Sequence, residues 1–121
     1  MITHIHTVAV FVEDQNKTID FWMKKVGFVI QKNILMGDHV HLLEMGPKGG
    51  QTCLVLYPRS IMPKWNECKA SIVFQCSNVE EEVQRLKANG VEIVGEVKKS
   101  SGGSFAKFKD IDGNEFLLKS D

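Results

Sequence analysis

The sequence predicts an α+β fold made of two βαβββ modules that share a sheet-lined cavity. Three observations carry this. An apolar strand, a polar cap, an amphipathic helix, a glycine and another strand run in order through TVAVFVEDQNKTIDFWMKKVGFVI. The same order returns from Ser71 in SIVFQCSNVEEEVQRLKANGVEIV. The punctuation also coincides, with Asp14 answering Asn78 at the helix starts and Gly27 answering Gly90 at their ends.

The first strand is expected over about Ile5 to Val12, where alternation puts Val8, Val10 and Val12 on one face. Thr7, Ala9 and Phe11 take the other. Asp14 caps the first helix, because a short carboxylate accepts from the exposed N–H groups of the first turn. Ile19, Trp22, Met23 and Val26 recur at helical spacing and predict its apolar stripe, with Trp22 in the core. Gly27 closes the helix in a left-handed conformation. Phe28 to Leu35 is the second strand, Met36-Gly37-Asp38 a turn, His39 to Met45 the third strand, and Thr52 to Tyr57 the fourth. The proline-bearing stretch from Pro58 to Cys68 reads as a connection. In the second half, Asn78 and Glu81 have the spacing of a reciprocal helix-start pair, and Val79, Val83 and Leu86 form the stripe. Val91 to Val97, Ser104 to Lys109 and Glu115 to Lys119 complete the strands, separated by turns at Ser100 to Gly103 and Asp112-Gly113. The organisation is a single domain over 1–121, with module one about 1–58, a linker 59–68 and module two about 69–121.

Composition narrows the function. Fifteen basic and fifteen acidic residues cancel, so no broad field favours nucleic acid or an anionic membrane. Only two arginines occur, Arg59 and Arg85. No apolar run approaches the roughly 20 residues of a membrane helix. MITHIH carries no signal-peptide pattern. Three cysteines, Cys53, Cys68 and Cys76, form no CxxC pair, which disfavours a disulfide framework or structural zinc and fits a reduced, cytoplasmic location.

The repeat, the VEDQNKTIDFW run around Asp14, Phe21 and Trp22, and the FKDIDGNEFLL turn at Asp110 to Asn114 together resemble the vicinal oxygen chelate superfamily. That group holds glyoxalase I, extradiol dioxygenases, fosfomycin-modifying enzymes and bleomycin-resistance proteins. The resemblance covers nearly the whole chain; Ile111 departs from it where proline is common. It implies a curved mixed sheet around a pocket and a homodimer. In metal-using members, the resemblance implies, ligands stand seven residues before each helix-opening cap, on the fourth strand, and four residues after the glycine of DGN. Here those places hold Thr7, Ser71 and Leu117, and QTCLVLYP offers neither carboxylate nor histidine. Neutral hydroxyls and a hydrocarbon do not make a divalent-cation site. No metal and no other cofactor is therefore expected.

The expected ligand is a small organic molecule. Thr7, Ser71, Gln75 and Tyr57 supply uncharged hydrogen-bonding groups, while Phe11 and Phe105 supply apolar walls. Lys107 stands where fosfomycin-type members, by the resemblance, place a substrate contact, and can act as a point charge or be a solvated strand-end lysine. Trp65 in the linker serves either as a lid or as a subunit contact. The alternative is a glyoxalase-like lyase or isomerase, using a divalent metal held by the pairs His4/His6 and His39/His41, or acid–base chemistry at His41. The parity of the third strand stays open: either His39, His41 and Leu43 face inward, or Glu44 does.

Overall fold

The computed structural model describes residues 1–121. The chain forms two compact units, Met1–Ala70 and Ser71–Asp121, so the segment read as a linker lies with the first unit. Each unit holds one four-stranded mixed sheet, and the class is α+β.

The first unit contains β1 (Thr7–Val12), α1 (Gln15–Asp20), a π-helical continuation (Phe21–Val26), β2 (Val29–Gly37), β3 (Val40–Gly46) and β4 (Cys53–Pro58), in the sheet order β1-β4-β3-β2. β1 runs parallel to β4, and the other pairs are antiparallel. Residues paired across strands share a face, so the register sorts the side chains. Val10, Val12, Leu43, Met45, Leu54 and Leu56 lie on one face and are buried. Thr7, Ala9, Phe11, Glu44, Cys53, Val55 and Tyr57 lie on the other. This resolves the third strand in favour of Glu44, which shares the face of Thr7. His39 is not in the strand at all: with Asp38 it forms a turn in which both residues have positive φ, 48° for Asp38 and 65° for His39. That is the backbone of a two-residue hairpin turn.

The first helix starts as expected, with Asp14 accepting from Asn16 N–H (2.8 Å) and Lys17 N–H (3.1 Å). Its buried stripe differs from the expected one. Gln15, Thr18, Phe21 and Trp22 are buried, while Met23 is exposed and Ile19 half-buried. Two polar residues occupy the stripe's first half, and the π turn shifts the angular position of the residues after it. Trp22 is fully enclosed, edge-on to Phe21 and stacked on Phe28 at 5.0 Å. Gly27 ends the helix at φ 97°.

The second unit contains β5 (Val73–Gln75), α2 (Val79–Ala88), β6 (Glu92–Ser100), β7 (Gly103–Lys109) and β8 (Glu115–Ser120), in the order β5-β8-β7-β6. The stripe Val79, Val83 and Leu86 is buried, as the periodicity predicts. Phe74, Phe108 and Phe116 form a stacked trio with centroids 5.4–6.2 Å apart. Asn78 caps α2 by accepting from Glu81 N–H at 3.1 Å. Val79 N–H donates to Ser120 Oγ (3.1 Å), which ties β8 to the helix start. The DxDGN segment is a structural turn. Asp110 Oδ1 accepts from Asp112 and Asn114 N–H, and Oδ2 accepts from Asn114 Nδ2, all within 2.9 Å.

Candidate functional site

In the first unit, Thr7, Phe11 and Tyr57 stand on one sheet face, as alternation predicts. Phe11 and Tyr57 are direct cross-strand partners with rings 6.4 Å apart and 29° from parallel. Cys53 lies opposite Thr7 on the same face. Glu44, 5% exposed, completes the group. Its Oε1 lies 3.3 Å from His6 Nε2 and accepts from Cys53 Sγ at 3.7 Å. Burial, reinforced by the Glu44 charge, pushes the Cys53 thiol above its ordinary pKa, with Lys32 opposing in part. Cys53 is thus a protonated hydrogen-bond donor rather than a nucleophile.

Sequence reasoning left the direction of Glu44 open and missed Cys53 as its partner. A signal for the glutamate was available in HLLEMG, where a residue between Leu43 and Met45 must lie on the sheet face opposite the two buried side chains.

His41 stands on the helix-side face of β3, in register with Leu35, and its Nδ1 lies 2.7 Å from Asn33 Oδ1. Its main chain is gripped by Gln15. Gln15 Nε2 donates to the carbonyls of His41 (2.8 Å) and Leu56 (2.7 Å), and Oε1 accepts from His41 N–H (3.0 Å). Beside this joint is a polar cavity of about 360 Å³, lined by residues including Glu13, Asp14, Asp38, His39 and His41. Asp14, Gln15 and His41 in its wall are engaged by the bonds just described. Trp65 sits half-buried in a short 3₁₀ turn, Trp65–Glu67, with the Arg59 guanidinium 3.8 Å from its ring centroid. That is a cation–π contact within the first unit.

In the second unit, Gln75, Phe105, Lys107 and Leu117 share the face turned away from Phe74, Phe108 and Phe116. Ser71 is exposed and precedes β5 by two residues. Gln75 Nε2 donates to the Cys76 carbonyl at 3.3 Å. Burial, followed by the Glu82 charge, raises the Cys76 thiol pKa.

Thr7, Ser71 and Leu117 offer two hydroxyls and a hydrocarbon, and no three His, Cys, Asp or Glu side chains are grouped to hold an ion. No helix is long and apolar enough to cross a membrane.

The paired modules and their sheet faces are those of a known group. Residues 4–118 match the Glyoxalase/Bleomycin resistance protein/Dioxygenase superfamily, and the chain belongs to it. It is 49% identical over 119 residues to the uncharacterized protein YetH of Bacillus subtilis (strain 168), covering 98% of this chain and 99% of that one. Among solved structures it is similar to TnmS3, an antibiotic binding protein from Streptomyces sp. CB03234. That match has a TM-score of 0.82 and 31% identity over 98% of this chain and 96% of the other. A glyoxalase/bleomycin resistance protein from the same Streptomyces strain matches with a TM-score of 0.76 and 30% identity, covering 97% and 100%.

Proposed function

We propose that this protein binds small organic molecules on its sheet faces, each unit taken by itself: the face of Thr7, Phe11 and Tyr57 in the first, and the face of Gln75, Phe105 and Lys107 in the second. It holds or senses them without the superfamily's metal. The observation that carries the reading is the makeup of the first face: a stacked Phe11–Tyr57 pair on the same sheet face as the Thr7 hydroxyl. Aromatic walls with a few uncharged hydrogen-bonding groups suit an organic ligand. The 31% identity to an antibiotic binding protein supports the same class. In this reading Trp65 borders the ligand in the first unit and Ser71 in the second, and the protein works as a cytoplasmic homodimer.

The test is a thermal-shift and equilibrium-dialysis screen of aromatic antibiotics on chelator-treated protein, repeated with Phe11→Ala and Tyr57→Ala. Binding that survives chelation and falls in both variants is the expected result. Binding that requires one equivalent of a divalent ion would refute the reading.

A further inference from the structure

The register of the second sheet arranges its ligand-side face in rows. Val73, Leu117, Lys107 and Val94 form one row across β5, β8, β7 and β6. Gln75, Lys119, Phe105 and Lys98 form the next. Glu115, Lys109 and Glu92 form a third, at the opposite end of the same face. Charge is therefore segregated. The third row carries two carboxylates and one lysine, with Lys109 Nζ 3.7 Å from Glu92. The first two rows contain three lysines and no carboxylate. Lys119 reaches Asp121 at 3.3 Å, but neither Lys98 nor Lys107 has an ion-pair partner.

This is an unfavourable arrangement for an empty surface. Lys107 has Lys119 as one diagonal neighbour on the adjacent strand, where long side chains reach one another and like charges repel; Glu115 holds the other diagonal position but makes no ion pair with it. The direct cross-strand partners of the two lysines, Phe105 and Leu117, are apolar and half-buried, and the exposed Val73 lies next to Leu117. An occupant with an apolar or aromatic body and a negative group satisfies both features. Its body covers Phe105, Leu117 and Val73, and its anion sits among the ammonium groups. A neutral ligand would cover the same apolar groups and leave the cations crowded.

We infer that the ligand is an organic acid, and that Lys107, supported by Lys119 and Lys98, sets this specificity. The inference rests on the small-molecule reading above and adds the ligand's charge. Two fluorescent probes with one aromatic frame test it: 1-anilinonaphthalene-8-sulfonate, which carries an anion, and N-phenyl-1-naphthylamine, which does not. Each is titrated at low ionic strength into the full chain and into Lys107→Gln, Lys119→Gln and Lys99→Gln. Lys99 is a control because it pairs with Glu80 and its register with Ser104 puts it on the opposite face. Thermal melts verify that each variant is folded.

The sulfonate should bind about tenfold more tightly than the neutral amine, the size of one charge-assisted contact. Lys107→Gln should remove most of that preference, Lys119→Gln part of it, and Lys99→Gln none. Equal affinity for the two probes, or a preference unchanged in Lys107→Gln, overturns the organic-acid inference and leaves the small-molecule reading intact. Failure of both probes to bind refutes the small-molecule reading, and the inference with it.

Discussion

Replacing Gln15 with leucine should cost about 3 kcal/mol of stability, far more than exchanging an ordinary polar residue. β3 and β4 are in register only at Glu44–Val55 and Met45–Leu54. Beyond Val55 the two strands part, and the Gln15 amide fills the gap like an inserted peptide, bonded to both strands. Leucine has a similar volume but leaves the His41 N–H, the His41 carbonyl and the Leu56 carbonyl without these partners. Three net hydrogen bonds at ~1 kcal/mol each give the estimate. Half-burial at His41 holds it there rather than higher. For a chain of this length the melting temperature should fall by about 12 °C.

The assay is thermal and urea unfolding of the wild type, Gln15→Leu and Gln15→Glu. A carboxylate at neutral pH faces two carbonyl oxygens and should be at least as damaging as leucine. Acidification restores an O–H donor, so Gln15→Glu should recover relative to Gln15→Leu as pH falls. A loss below about 1 kcal/mol in Gln15→Leu, or no such recovery, would mean that the strands do not depend on this amide.

Three further outcomes are expected. The Thr18 hydroxyl is fully buried with no hydrogen-bond partner, so Thr18→Val should raise stability by about 1 kcal/mol, read as a higher melting temperature. Gly103 has φ 122°, and a Cβ there would run into the Ser120 carbonyl oxygen, whereas at Gly102 it would meet only Ser100 Oγ, at an ordinary contact distance of 3.9 Å. Gly103→Ala should therefore cost about 2 kcal/mol or more while Gly102→Ala stays within about 0.5 kcal/mol in urea titrations. Burial raises the Asp110 pKa above the ordinary carboxylate value, against the hydrogen bonds from Asn114 and Asp112. A raised folded-state pKa in an acid contributes stability that is complete below the unfolded-state value and is lost as pH rises through the folded-state value. The wild type should thus lose stability relative to Asp110→Asn as pH climbs from about 4. A difference that grows in the opposite direction would contradict this.

Most of the fold was legible because its signals are local. Asp14, Asn78, Gly27 and Gly90 mark helix ends by backbone chemistry, and Val79, Val83 and Leu86 show the helical period without interruption. The first helix was misread where side-chain chemistry and burial disagree. Gln15 and Thr18 look like surface residues, yet one bridges two strands and the other lies at the sealed helix–sheet contact. The candidate site was legible only in part, because side-chain direction depends on register. The faces of β1 and β7 followed from alternation, so Thr7, Phe11, Phe105 and Lys107 were assignable. The face of β3 was signalled by Leu43 and Met45 flanking Glu44, but its pairing with β4 settles it. Lys98 was hidden by an irregularity between Val94 and Lys98, where Gly95 takes φ 70° and breaks the alternation.

The two modules repeat a topology but not a joint. At the residue after the helix cap the first has Gln15 and the second Val79. In the first, a helix side chain reaches out to strand backbone, and β3 and β4 share two registered pairs. In the second, a strand side chain, Ser120, receives the helix backbone, and β7 and β8 stay in register over six pairs from Ser104 to Lys109. A continuous ladder fixes side-chain rows, which allows Lys107 and Lys119 to be held as diagonal neighbours. In the first module, the short ladder includes Glu44, whose carboxylate is buried on the face away from the helix with His6 and Cys53. The chemical difference between the two faces, aromatic with a buried glutamate in the first and lysine-bearing around Phe105 in the second, thus accompanies a difference in how each helix is fastened to its sheet.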